Sequence, residues 1–291
     1  MIVDGHLHLW TLGDGAYPWL TPEAGELYAD FDADQAGAEL ETAGVDRAVL
    51  VQADDTDADT DAMLQVADTH AWVAGVVGWV QLDDPERAAA QLERRLAHPA
   101  FRGVRHLVHG DPRDEFLELP AVRRSLGLLA AHGLAYDVPN AWPRHLAQVT
   151  ALAAALPELA IVIDHLAKPP RGAADFADWR AEIERSAAHP NTVGKVSGLR
   201  MPGTDYSVDA LREVWDVALT AFGPERLLWG SDWPITVPDG GYRPTYEVLA
   251  ALMDELSPAE RDSVLGGTAT RVYGLAVDAA ESPEVPEETG A

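Results

Sequence analysis

The chain has 291 residues, with 21 Lys and Arg against 48 Asp and Glu, a formal net charge of -27, and no cysteine. Such a surplus of carboxylates is repelled by phosphate backbones and anionic lipid heads, so neither nucleic acid nor a membrane surface is an expected partner. Without cysteine there can be no disulfide, iron–sulfur cluster, thiolate zinc site or cysteine nucleophile, and any metal must sit on nitrogen and oxygen.

Eight short apolar runs recur about every 30 residues, the length of a strand plus a crossover helix. They occupy residues 2–9, 48–52, 73–80, 103–108, 134–138, 159–165, 192–199 and 227–232. Amphipathic stretches lie between them. Asp84-Pro85-Glu86 opens one as a cap with Pro at the first helical position, and Ser257-Pro258-Ala259-Glu260 is a capping box for the last. Eight alternations predict a (β/α)₈ TIM barrel over residues 1–276, and a doubly wound sheet is disfavoured because no glycine fingerprint follows the first strand. Two segments fall outside the rhythm. Residues 11–31 form a long loop after the first strand whose Tyr17-Pro18-Trp19-Leu20 and Tyr28 are too aromatic for a spacer. Residues 277–291 carry five acidic residues, no basic ones and two prolines, the composition of a disordered acidic tail. No apolar run approaches the roughly 18 residues of a membrane span, and the amino terminus resembles no signal peptide, so the expected location is cytoplasmic.

Strand periodicity places Asp4, His6 and His8 on one face of the first strand, with Val3, Leu7 and Leu9 on the other. Two imidazoles then point into the barrel where barrel enzymes keep their active sites. His165 ends the sixth strand on the parity of Ile161 and Ile163, and Asp232 ends the eighth. Each residue alone has an ordinary structural explanation; three imidazoles and a carboxylate on strands 1, 6 and 8 point together to a site. His70, His98, His132, His145 and His189 fall in helices or loops and are expected to face solvent. There is no G-x-S-x-G elbow, P-loop, G-x-G-x-x-G or H-E-x-x-H, so serine-hydrolase, NTPase and zincin mechanisms lose their usual basis.

The set His6-x-His8, Ile163-Asp164-His165-Leu166-Ala167-Lys168-Pro169, Lys195-Val196-Ser197-Gly198-Leu199 and Gly230-Ser231-Asp232-Trp233-Pro234 resembles the amidohydrolase superfamily. More narrowly, it is similar to the amidohydrolase-related branch that holds sugar-acid lactonases of the L-fuconolactonase and L-rhamnonolactonase kind. Phe101-Arg102-Gly103-Val104-Arg105-His106 and Tyr17-Pro18-Trp19-Leu20 fit that branch as well. The resemblance implies a hydrolase that opens the lactone of a sugar acid with an activated water. Asp232 would be the general base, and His6, His8 and His165 would either join Asp232 around one divalent ion, zinc first, or polarise the carbonyl directly without metal. A binuclear centre is not expected, because the fourth strand offers neither the bridging Lys nor the Glu that two-metal relatives use.

Arg105 would hold the oxyanion or a substrate group, and His106, on the opposite parity, ranks behind it. Lys195 has the inward parity on the seventh strand and would either pair inside the barrel or contact substrate. Trp19, Tyr28 and Trp233 would stack on a small sugar-acid ring at the barrel mouth, with Trp10 expected in the core. His109 stands where relatives commonly have Gln. The alternatives are a metal-dependent decarboxylase of the same superfamily and a non-catalytic sugar-acid-binding barrel.

Overall fold

The computed structural model describes residues 1–13, 16–201 and 203–276. The expected acidic tail, residues 277–291, lies outside them. Eight parallel strands follow in sequential order: β1 (Val3–Leu7), β2 (Arg47–Val51), β3 (Val73–Gly78), β4 (Phe101–Arg105), β5 (Ala135–Val138), β6 (Ile161–Ile163), β7 (Thr192–Val196) and β8 (Leu227–Trp229). The sheet's two edges meet where Leu7 bridges Trp233; His8 N donates to Trp233 O at 2.8 Å and Asp232 N to His6 O at 2.9 Å. Helices α1 (Ala33–Ala43), α2 (Asp57–Thr69), α3 (Pro85–Arg95), α4 (Pro120–Ala131), α5 (Leu146–Ala155), α6 (Phe176–Ala187), α7 (Val208–Phe222) and α8 (Tyr242–Met253) follow the strands in turn. This is the (β/α)₈ barrel that the sequence predicts. Among the described residues, no helix is long and apolar enough to cross a membrane.

Local chemistry explains the helix boundaries. Asp32 and Gln35 form a reciprocal capping box at the start of α1, and Gly44 ends it in the left-handed conformation. At α3, Asp84 accepts from Arg87 N, Pro85 occupies the first turn, and Arg94 and Arg95 face the negative end of the dipole. Strand alternation then divides the core in two. Val3, Val49, Val77, Ala135, Val162 and Leu228 fill the barrel interior, while Leu50, Val76, Val104, Tyr136, Ile161 and Trp229 pack outward under the helices. After α9 (Pro258–Asp262), Ala269 and Val272 of α10 (Thr268–Val272) and Tyr273 in the turn after it plug the end where the strands begin.

One irregularity corrects the reading of the first strand. Asp4 pairs with Ala48 but Leu7 pairs with Leu50, so β1 carries one residue more than β2 over that stretch, a β-bulge. The bulge takes Asp4 off the face of His6 and His8. Its carboxylate instead accepts from Tyr242 OH of α8 at 2.9 Å, Ser231 N at 2.9 Å and His6 N at 2.9 Å, tying β1 to the loop after β8.

Candidate active site

A cavity of about 360 Å³ opens at the end of the barrel where the strands finish, lined by His8, Trp19, Arg105, His165, Lys168 and Asp232 among others. The β1 bulge and the β1–β8 closure bring His6 and His8 to its floor, with their Nε2 atoms 3.1 Å apart. Asp232 Oδ1 lies 3.4 Å from His8 Nε2, 3.6 Å from His6 Nε2 and 3.9 Å from His165 Nε2. The four residues singled out from the sequence therefore converge on one point.

His165 arrives by a route that strand parity does not describe. Ile161 and Ile163 face the helices and Val162 faces inward, so regular continuation would send His165 outward. Instead His165, Leu166, Ala167 and Lys168 all take positive φ, 56°, 49°, 64° and 62°. Left-handed backbone costs roughly 1–2 kcal/mol per non-glycine residue; here it swings both His165 and Lys168 into the cavity. Asp232 is left-handed too, at φ 58°. Gly198, at φ 54°, makes room for both, since a Cβ there would collide with His165 Nδ1 and Asp232 Oδ2. Gly230 plays the same part beneath His6, whose Cβ a side chain would strike.

The electrostatics separate acid from base. Burial would raise the Asp232 carboxyl, but His165, the hydrogen bond with His8, His6 and Lys168 outweigh it and hold the group well below the usual carboxylate range. Burial pushes His165 down to about 3 and His6 far below its ordinary value. Around neutral pH the site thus presents an ionised carboxylate among neutral His6 and His165.

Lys195 is fully buried beneath this floor and does not line the cavity. Its Nζ sits 2.6 Å from Asp137 Oδ2 and 2.8 Å from Asp164 Oδ1. Tyr273 OH donates to Asp137 at 2.7 Å, and Asp164 Oδ2 faces Arg105 Nη1 at 3.4 Å. Of the two expectations for Lys195, the internal ion pair holds and substrate contact does not, because its inward parity places it one layer too deep. His106 also misses the cavity. It turns outward, as its parity implies, to stack on Phe116 at 4.3 Å, with Nδ1 3.2 Å from Asp55 Oδ2.

Tyr28 is 43% exposed and Trp233 packs edge-on against Phe31 at 5.3 Å; neither lines the cavity. Trp19 does, with Nε1 donating to Ala53 O at 2.9 Å, and Trp10 is both buried core and cavity wall. His145, expected in solvent, is buried. Asp137, Asp164, Lys168 and Asn140 belong to the site or its support without having been singled out from the sequence. Charged residues at inward-facing strand positions were the signal available for Asp137 and Asp164.

The donor set fits a divalent ion. His8 Nδ1 faces Val51 O at 2.7 Å and must donate to it, which leaves a lone pair on Nε2. Arg105 Nη1, a donor only, lies 2.8 Å from His6 Nε2, closer than Lys195 Nζ to His6 Nδ1 at 3.1 Å, and the ring's lone pair is assigned to Nε2. With the Asp232 carboxylate, three acceptors converge at separations of 3.1, 3.4 and 3.6 Å. Tetrahedral zinc with bonds of about 2.0–2.1 Å needs ligands roughly 3.3 Å apart.

The amidohydrolase family model matches residues 3–275 of the chain. The chain belongs to the amidohydrolase family. It is 35% identical over 282 residues to the L-fucono-1,5-lactonase of Burkholderia ambifaria, covering 94% of this chain and 95% of that one. Against the L-fucono-1,5-lactonase of Burkholderia multivorans the identity is 32%, covering 94% and 96%. A crystal structure of a Burkholderia multivorans amidohydrolase with bound zinc superposes on this amidohydrolase with a TM-score of 0.85 at 32% identity, covering 95% of this chain and 100% of that chain.

Proposed function

We propose that this amidohydrolase hydrolyses the lactone ring of a small sugar acid, with residues 1–276 as its catalytic domain. The observation that carries the reading is the Asp232 carboxylate, between 3.4 and 3.9 Å from three imidazoles at the floor of a cavity that also holds Arg105. The likeness to L-fucono-1,5-lactonases over nearly the whole chain supports the substrate class.

Water held in the cavity attacks the lactone carbonyl carbon and gives a proton to Asp232 Oδ as the new C–O bond forms. The carbonyl π pair moves to oxygen, where Arg105 and His165 face the developing negative charge. Collapse breaks the bond to the ring oxygen, and the proton on Asp232 passes to that leaving oxygen, restoring the carboxylate. The product is an open hydroxy acid, which ionises and releases one proton to solvent. Trp19 supplies an apolar face for the ring, and Lys168 a second cation for its hydroxyls. His6, His8 and Asp232, with His165 beside them, would hold a divalent ion, which when bound polarises the carbonyl and lowers the pKa of bound water to about 7.

Proton release in a pH-stat over a panel of aldono-1,4- and 1,5-lactones tests the reading. Turnover should fall by at least about 10²-fold in Asp232→Asn while the melting temperature holds. Near wild-type rates in that variant, or release of CO₂ from an aromatic acid in place of lactone opening, would exclude it.

A further inference from the structure

We propose that Arg105 occupies the position on His6 Nε2 that a metal ion would take, so that the guanidinium and a divalent ion exclude one another in this site. An imidazole nitrogen offers one lone pair in the ring plane, and every guanidinium N–H is a donor. At 2.8 Å, Arg105 Nη1 uses the lone pair of His6 Nε2. His6 Nδ1 then carries the ring proton and faces Asp164 Oδ1 at 3.5 Å. That assignment leaves Lys195, 3.1 Å from Nδ1, to its two carboxylates.

Three convergent lone pairs, on His6, His8 and Asp232, demand positive charge from somewhere. Arg105 supplies it here from β4, anchored by Asp164 Oδ2. The anchoring is incomplete. Arg105 Nε is buried with no hydrogen-bond partner, and the side chain lines the cavity, so an alternative pose turned toward the opening has room. The site therefore has two charge-satisfied arrangements: guanidinium on His6, or metal on His6, His8 and Asp232 with Arg105 turned away.

The inference rests on the ligand set proposed above but not on the lactone substrate, and zinc binding tests it without any turnover. Zn²⁺ affinity of the full chain is measured by competition with a chromophoric chelator, for wild type, Arg105→Gln, and each combined with Asp232→Asn. Arg105→Gln should bind Zn²⁺ more than about tenfold tighter, because no guanidinium then competes for the lone pair of His6 Nε2, and Asp232→Asn should lose that binding in both backgrounds. Equal or weaker affinity in Arg105→Gln overturns the proposal. Unchanged affinity on Asp232→Asn overturns the ligand set and the proposal with it. A second measurement needs no variant: phenylglyoxal modification of Arg105, followed by peptide mass, should accelerate when the wild-type chain is saturated with Zn²⁺. An unchanged or slower rate would count against displacement.

Discussion

Replacing Lys195 with Met removes a charge while nearly preserving volume, and it isolates the ion-pair column beneath the site. Lys195, Asp137 and Asp164 are all fully buried, with Nζ 2.6 and 2.8 Å from the two carboxylates. At an effective dielectric of about 20, each attraction at such a distance is worth about 6 kcal/mol before the cost of desolvating the ions, which offsets much of it. Removing one partner leaves two buried carboxylates, 58 and 31 residues away in sequence but adjacent in space, with the Tyr273 hydroxyl still on Asp137 and Arg105 still 3.4 Å from Asp164. A loss of ~3–5 kcal/mol is expected, equivalent to a melting-temperature drop of roughly 6–20 °C at 2–4 °C per kcal/mol for a domain of this size.

The pH dependence distinguishes this origin from a simple packing defect. Burial already raises Asp137 toward about 6 with Lys195 in place, and without the ammonium the folded variant prefers the carboxyl protonated still more strongly. A group whose folded pKa lies above its unfolded value stabilises the fold below that range and ceases to do so as pH rises. Lys195→Met should therefore recover part of its deficit relative to wild type between about pH 7 and pH 5, measured by urea unfolding followed through tryptophan fluorescence. A deficit under about 1 kcal/mol, or one independent of pH, would show that the column is not held together by charge.

Gly198→Ala places a methyl group against His165 and Asp232 on a left-handed backbone. Turnover should drop by about 10²-fold, a loss larger than the accompanying fall in melting temperature explains; activity within about twofold of wild type would show that the loop yields at no cost to the site. Acidification should destabilise the protein through His165, whose pKa burial depresses from 6.5 to about 3. Between those values the unfolded chain binds a proton that the folded one refuses, so stability falls by about 1.4 kcal/mol per pH unit for this imidazole. His165→Gln should flatten the slope between about pH 6 and pH 4 by that amount, and an identical slope in both proteins would refute it.

Strand rhythm and helix caps were enough to read eight βα units and a barrel, and the absence of cysteine to leave any metal to nitrogen and oxygen, because they depend on local periodicity and composition. They also supplied His6, His8, His165 and Asp232 as members of one site. The faces of individual side chains were another matter. Period-two parity holds only while a strand stays regular, and the site lies where regularity ends. A bulge in β1 separates Asp4 from His6 and His8, a left-handed turn after β6 reverses His165, and an edge-to-edge bridge between Leu7 and Trp233 sets the distance from the imidazoles to Asp232. Depth along the barrel axis was equally invisible: Lys195 shares the inward parity of a substrate contact but lies a layer below, where Asp137 from β5, Asp164 after β6 and Tyr273 from the carboxy-terminal segment meet it. Those groups are brought together only when the sheet closes, and closure is a property of eight strands together that no single stretch of sequence contains.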